Sequence, residues 1–212
     1  MYHSGMRLIL ASASPRRVDL LREAGYAFDV EPADVDEAEE AGEPPRAYVL
    51  RVAALKAGVV AAAHPGDVVL AADTTVVVDG QMLAKPADDD DARRMLGLLS
   101  GRTHDVLTGV VVVRAGRQTS AIVGTRVRFR PMTAADIDWY VASGEPRDKA
   151  GAYGVQGLAA RFVEAIDGPF SNVVGLPVAA VRDLLGAEGV LPLDAARARN
   201  WAEPAPFDRT GG

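Results

Sequence analysis

The run VVLAADTTVVV, Val68 to Val78, constrains the chain more than any other stretch. Its apolar, β-branched residues read as the strongest strand in the sequence, and Asp79-Gly80 after it is a hairpin turn signal. Met82 to Ala84 would form the return, followed by Lys85-Pro86. Asp73 interrupts the run. Aspartate is depleted in strands, and an ionised carboxylate among apolar residues needs a partner. A strand-end aspartate capping a turn is the bland explanation, but no turn residue adjoins Asp73. A functional carboxylate is the preferred reading.

A second constraint lies at Arg7 to Gly25, RLILASASPRRVDLLREAG. Arg7 to Ala11 reads as a short strand and Ser12 to Ser14 as a small-residue turn. Pro15 to Ala24 reads as a helix, with Ser14 as N-cap, Pro15 at the first helical position and Gly25 past the end. Val18, Leu20, Leu21 and Ala24 give it a buried face. Arg16 and Arg17 occupy the first turn, where the helix dipole already favours acidic residues. An anion bound there would explain them, because backbone N–H groups, serine hydroxyls and guanidinium groups would converge on it. Two solvated arginines are the alternative.

Elsewhere the pattern alternates between helix and strand. Phe28 to Glu31 reads as a strand, and Asp34 to Gly42 as an acidic loop carrying Asp36 and Glu37. Pro45 to Ala63 is a strong helix on the recurrence of Tyr48, Val49, Val52, Leu55 and Val59, with Arg51 and Lys56 on its more polar, solvated positions. Asp88 to Asp91 precedes RRMLGLL, which suits a helix start better than a metal cluster. His104 to Arg114 and Thr119 to Arg130 read as strands, the second with a wet face carrying Arg126, Arg128 and Arg130. His104 alone reads as structural. Thr133 and Asp136 fit a capping box opening a helix. Four glycines lie in Ser143 to Gly157, a density that permits positive φ and close backbone approach to a ligand; Lys149, Tyr153 and Gln156 point to a binding loop. Arg161 to Ile166 reads as a strand, Asn172 to Leu176 as extended, and Pro177 to Gly186 as a helix. Hairpins occur beside crossovers, so the expected class is α/β with a mixed, twisted sheet and flanking helices.

At 212 residues with 49% hydrophobic content, one sizeable core is affordable in length. The expected organisation is a single domain over residues 6–190 and a loosely ordered tail over residues 191–212. Net charge −6 argues against generic binding to a nucleic-acid polymer and leaves room for a small anion in a local basic pocket. The absence of cysteine excludes disulfides, thiolate catalysis and Cys-ligated metal. With neither an 18-residue apolar run nor a signal-peptide pattern, the expectation is a soluble, cytoplasmic protein without membrane partners, and Met6 is an alternative start to Met1.

Four stretches go beyond generic α/β: LASASPRR (Leu10 to Arg17), AADTTVVVDG with the following Lys85-Pro86, LSGRTHDVLTGV (Leu99 to Val110), and SGEPRDKAGAYGVQG followed by NVVGLP (Asn172 to Pro177). In this order and spacing the chain closely resembles the Maf family of nucleoside triphosphate pyrophosphatases, from about Met6 to Gly189. The resemblance implies hydrolysis of a nucleoside triphosphate to monophosphate and pyrophosphate with a divalent cation, normally Mg²⁺, with Mn²⁺ an alternative. It implies an inosine-triphosphate-pyrophosphatase-like fold with two lobes around a central cleft, a housecleaning role on the nucleotide pool, a link to septum formation, and a homodimer as a common assembly. By position, Asp73 matches the catalytic acid, Lys56 and Lys85 the catalytic cations, Ser12 and Arg17 the phosphate-binding positions, and Glu37 with Asp73 the metal-side carboxylates. Arg16, Thr74 and Gln156 match the positions that separate the family's branches, and all three fall with the branch acting on dTTP and UTP. Thr75 and Ala84 depart from the usual aliphatic residue and glycine. A nucleotide-binding regulator of cell division without turnover is the competing expectation. The absence of GxxxxGK[ST] argues against a P-loop ATPase.

Overall fold

The computed structural model describes residues 6–193. In chain order the elements are β1 (Leu8–Leu10), α1 (Pro15–Glu23), β2 (Asp29–Val30), α2 (Pro45–Ala63), β3 (Val68–Val78), β4 (Gln81–Leu83), α3 (Asp89–Leu99), β5 (Thr103–Arg114), β6 (Arg117–Phe129), α4 (Ala134–Ala142), β7 (Val163–Asp167), α5 (Phe170–Val174) and α6 (Val178–Ala187). Three short 3-10 turns lie between α4 and β7. The sheet has seven strands in the order β2-β1-β3-β5-β6-β7, with β4 also pairing β3. β1 runs parallel to β2 and β3, and the other pairings are antiparallel. This is the mixed sheet with flanking helices that the sequence pattern predicts.

β3 is the spine. Along one edge it pairs with β5 over Val68 to Val77. On the other edge its first three residues pair with β1 and its last three with β4. Between those contacts Ala71–Thr75 have no strand partner on that second edge, and Asp73 sits at that opening. The β3–β4 turn takes the conformation that Asp-Gly favours, with positive φ at both Asp79 (50°) and Gly80 (78°).

Alternation along β3 sends successive side chains to opposite layers. Val69 and Ala71 join a cluster with Ala53, Ala57 and Val60 of α2. Val68, Leu70 and Ala72 face Leu21, Leu176, Val181 and Leu185 on the other side. Farther along, Val76 and Val78 enter a third cluster with Leu96, Phe129, Tyr140 and Phe162. A cleft opens between the end of the molecule carrying α1, α2 and α6 and the end carrying α3, α4 and the 3-10 turns.

Several sequence expectations change here. α2 keeps its predicted bounds, but its buried face is Val49, Val52, Ala53, Lys56, Ala57 and Val60, while Leu55 (43%) and Val59 (53%) are exposed. Small alanines allow the helix to lie close to the sheet, so the inward stripe is not its bulkiest one. Gly109 does the same on β5: a Cβ there would come within 2.5 Å of the Val49 carbonyl oxygen. Asn172 lies in the short helix α5 rather than in an extended segment; its side chain is buried and donates to Val106 O (3.0 Å) and Thr125 Oγ1 (3.1 Å). Arg161 belongs to a 3-10 turn preceding β7. Asp88 accepts from Asp91 N–H as a helix N-cap, and Thr133 and Asp136 form the reciprocal capping box. Leu193 N–H donates to Gly25 O, so the chain still touches the domain at residue 193; the expected loose tail beyond it, and the choice between Met1 and Met6, involve residues outside those described. Among the described residues no helix is long and apolar enough to cross a membrane.

Candidate active site

The cleft has a volume of about 730 Å³, within the range of small-molecule sites, and it is lined by every residue that the family resemblance assigns to the site: Ser12, Arg16, Arg17, Glu37, Lys56, Asp73, Thr74, Lys85 and Gln156. They come from β1–α1, the acidic loop, α2, β3, the segment after β4 and the glycine-rich loop.

At the floor, Asp73 is 6% exposed and Lys56 7%. Lys56 Nζ donates to Asp73 Oδ1 at 2.8 Å. The same ammonium lies 2.9 Å from Glu37 Oε1. Lys56 is therefore not on a solvated face: burying an unpaired ammonium would be costly, and two carboxylates receive it. Burial pushes the Asp73 carboxyl above its ordinary range, against the opposing pull of the Lys56 and Arg17 charges.

The loop carrying Glu37 is held by α2. Tyr48 Oη donates to Glu37 O at 3.1 Å, and Arg51 donates to Ala38 O at 2.9 Å while clamping the Glu43 carboxylate with two 2.7 Å bonds. Arg51 also departs from its expected solvated role, since its fork fixes the backbone beside Glu37.

On the opposite face of β3, Arg17 lies under the α1 start. Its Nε donates to Gly175 O (2.9 Å), one terminal nitrogen to Thr74 Oγ1 (3.1 Å) and the other to Ser12 Oγ (3.4 Å). Burial lowers the Arg17 guanidinium, with the Asp73 charge opposing. Ser12, rather than the N-cap Ser14, serves the helix start, accepting from Ser14 N–H at 3.2 Å. Thr74 Oγ1 also meets Thr108 Oγ1 (2.9 Å) and Gly175 O (3.4 Å). A hydroxyl has one hydrogen and two lone pairs, so these partners fill it. In this structure the Thr74 hydroxyl is engaged by Arg17, Thr108 and Gly175.

The glycine-rich loop forms the facing wall. Gly144 (φ 74°) and Gly151 (φ 67°) occupy left-handed backbone that favours glycine. At Gly154 a Cβ would meet Lys149 Cε at 2.7 Å, and at Gly157 it would meet the Glu145 carboxylate at 2.4 Å. These two glycines therefore admit the loop's own side chains rather than a ligand. Glu145 accepts from Tyr140 Oη (2.9 Å) and Leu158 N–H (2.8 Å), which folds the loop back on itself. Tyr153 Oη meets His104 Nε2 at 2.8 Å, and the His104 ring packs edge-on against Phe129 and Tyr153. Burial pushes the His104 imidazole down to about 4, so it is neutral at pH 7, a structural histidine as expected. Gln156 and Lys85 are exposed side chains on the cleft wall. Asp148 and Glu145 escaped the sequence reading; acidic residues flanking Lys149 inside a glycine-rich stretch were the available signal.

Glu37 and Asp73 fit a hard divalent cation. Both already converge on one positive charge, and among the described residues Asp73 Oδ2 and Glu37 Oε2 carry no hydrogen bond. Mg²⁺ is commonly held by one or two carboxylates with substrate phosphates supplying further oxygens. Among the described residues no group of three or more His, Asp or Glu side chains is disposed to hold a metal by itself.

The family described as Maf-like protein matches residues 7–188. A protein from Anaeromyxobacter sp. (strain Fw109-5) named dTTP/UTP pyrophosphatase is 51% identical over 211 residues, covering 97% of this chain and 95% of that one. A protein of the same name from Anaeromyxobacter dehalogenans (strain 2CP-C) is 56% identical over 202 residues, covering 93% and 98%. Another from Caulobacter vibrioides (strain ATCC 19089 / CIP 103742 / CB 15) is 49% identical over 191 residues, covering 89% and 99%. A solved nucleoside-triphosphatase / dITP/XTP pyrophosphatase from Mycobacterium abscessus is 14% identical, with a TM-score of 0.39 and coverage of 60% of this chain and 76% of that one, a likeness too slight to add to the topology above.

Proposed function

The chain belongs to the Maf family, and on that premise we propose that it hydrolyses dTTP and UTP to the nucleoside monophosphate and pyrophosphate. The observation that carries the reading is the buried Asp73 in the unpaired opening of β3, paired to Lys56 and facing a cleft lined with further cations.

Water attacks the α-phosphorus, the bond from that phosphorus to the α,β-bridging oxygen breaks, and the proton from water passes to Asp73. The Asp73 carboxylate receives it while Lys56 holds that carboxylate through Oδ1. Lys56 keeps the carboxylate oriented and ionised. Lys85, Arg17 and Ser12 are assigned to the triphosphate, where fixed positive charge and donors offset the charge developing on the departing pyrophosphate. Mg²⁺, or Mn²⁺, would be held by Glu37 and Asp73 and, when bound, would offset phosphate charge as a Lewis acid. Arg16 and Gln156 are assigned to the base. Guanidinium and amide groups match the acceptor and donor edge of uracil or thymine, and a wrong base would leave such groups unpaired.

The test incubates the protein with Mg²⁺ and a panel of nucleoside triphosphates and identifies the products. UMP or dTMP with pyrophosphate is the expected outcome. Orthophosphate release would overturn the reaction type. Tight nucleotide binding without turnover would replace the enzyme with a nucleotide-sensing regulator.

A further inference from the structure

Arg16 does not stand free at the cleft mouth. One terminal nitrogen donates to Asp148 Oδ2 at 2.8 Å and the other reaches Asp148 O at 3.5 Å. The second carboxylate oxygen of Asp148 accepts from Lys149 Nζ at 2.6 Å, and Lys149 also donates to Glu145 O at 2.6 Å. Glu145 in turn holds Tyr140 and the Leu158 backbone. A continuous polar chain thus runs from the start of α1 to the glycine-rich loop, joining residues 132 apart in sequence.

Resting on the assignment of Arg16 and Gln156 to the base, we propose that Asp148 is a specificity-positioning residue. Its carboxylate draws the Arg16 guanidinium onto the glycine-rich loop, the cleft wall that also carries Gln156. Base selection then depends on a side chain outside the base-reading pair. A contribution to stability does not account for the arrangement: the Asp148 side chain is 61% exposed, and exposed ion pairs contribute little. Orientation does account for it. A guanidinium held by a carboxylate directs its remaining N–H groups in fixed directions, whereas an untethered arginine samples many rotamers. Burial raises the Asp148 carboxyl, but hydrogen bonds from Lys149 and Arg16 outweigh this and bring it down to about 2, so the tether persists at neutral pH.

The experiment measures kcat and KM with Mg²⁺ for UTP, dTTP, CTP and GTP in the wild type, Asp148→Asn, Asp148→Glu, Arg16→Gln and the Asp148→Asn/Arg16→Gln double variant. The Asn variant should lower the preference for UTP over CTP and GTP by about tenfold, mainly through KM. Glu should restore part of it. The double variant should lose no more than Arg16→Gln alone, because both changes remove one device. A preference within twofold of wild type in Asp148→Asn, or losses that multiply in the double variant, would overturn the proposal. If the wild type turns over no triphosphate, the pyrophosphatase reading fails separately. The same ratios are then read as calorimetric dissociation constants for the four nucleotides, with the same two outcomes deciding.

Discussion

At the scale of single residues, two buried titratable groups behave differently and give different predictions. Asp73 is a carboxyl whose burial raises its pKa, so the acid limb of kcat/KM should lie above the ordinary aspartate value of about 3.9. Activity should fall as pH drops through that limb. Asp73→Asn should reduce kcat by roughly 10²- to 10⁴-fold with triphosphate binding retained. Near-normal turnover in steady-state assays would remove Asp73 from the chemistry. His104 is instead held neutral, at about 4 when folded against 6.5 ordinarily. Between those values the unfolded chain binds the proton and the folded one does not. Stability should therefore fall as pH drops from 6.5 towards 4, by about 3 kcal/mol in all, and show no His104 contribution above 6.5. Urea midpoints at pH 7 and pH 4.5 measure the slope, which should be shallower in His104→Asn. Asp73 was legible because it breaks an apolar strand run, a local anomaly. Lys56 was placed by its neighbours' hydrophobicity, and that failed, since its burial depends on Asp73 and Glu37 lying opposite it in space.

Among the elements, the distance between α2 and the sheet sets the Lys56–Asp73 contact. Gly109 sits directly across from Asp73 in the β3–β5 register, and its missing side chain is what lets the Val49 backbone come close. Gly109→Ala should push α2, and with it Lys56, away from β3. A stability loss of about 1–3 kcal/mol is expected, with kcat falling in molecules that remain folded. Gly124→Ala is the control: its nearest obstacle is the flexible end of Leu107, at 3.1 Å, and both stability and turnover should change little. Thermal melts and turnover of the two variants side by side decide the matter. Element type was well legible where turn and cap chemistry agreed with periodicity, as in α3, α4 and β3. α5 was not, because Val173 and Val174 suggest strand while the segment is short and bounded by Pro169 and Gly175; packing of buried Asn172 against β5 and β6 overrides that local preference.

For the whole molecule, β3 contributes to four apolar clusters, on both faces of the sheet and at both ends of the strand. A strand shared in this way couples the clusters, so unfolding should be one cooperative transition, coincident by circular dichroism and Trp fluorescence. A non-hydrolysable dUTP analogue with Mg²⁺ should raise that transition by about 2.7 kcal/mol of stability when present at 100 times its dissociation constant. An equal gain from a matched GTP analogue at the same concentration would contradict pyrimidine selection. The mixed architecture was readable from alternating helix and strand signals together with hairpin turns. The cleft was not, because no local pattern says that β1 and β4 leave Ala71–Thr75 uncovered between them.

That opening has a consequence for how such a protein can change over time. The carboxylate proposed to react, Asp73, rides on a strand paired with β5 from Val68 to Val77, whereas Arg16 and Gln156 sit on a helix start and a loop joined by side-chain tethers. On the reading proposed above, substitutions at exposed positions of that loop, such as Gln156, would redraw the substrate range while Asp73 and Lys56 keep their own anchors on β3 and α2. A lineage built on this frame can exchange what it accepts without first losing the ability to react. Grafting that loop, together with the residue at position 16, is the shortest route to a new nucleotide preference.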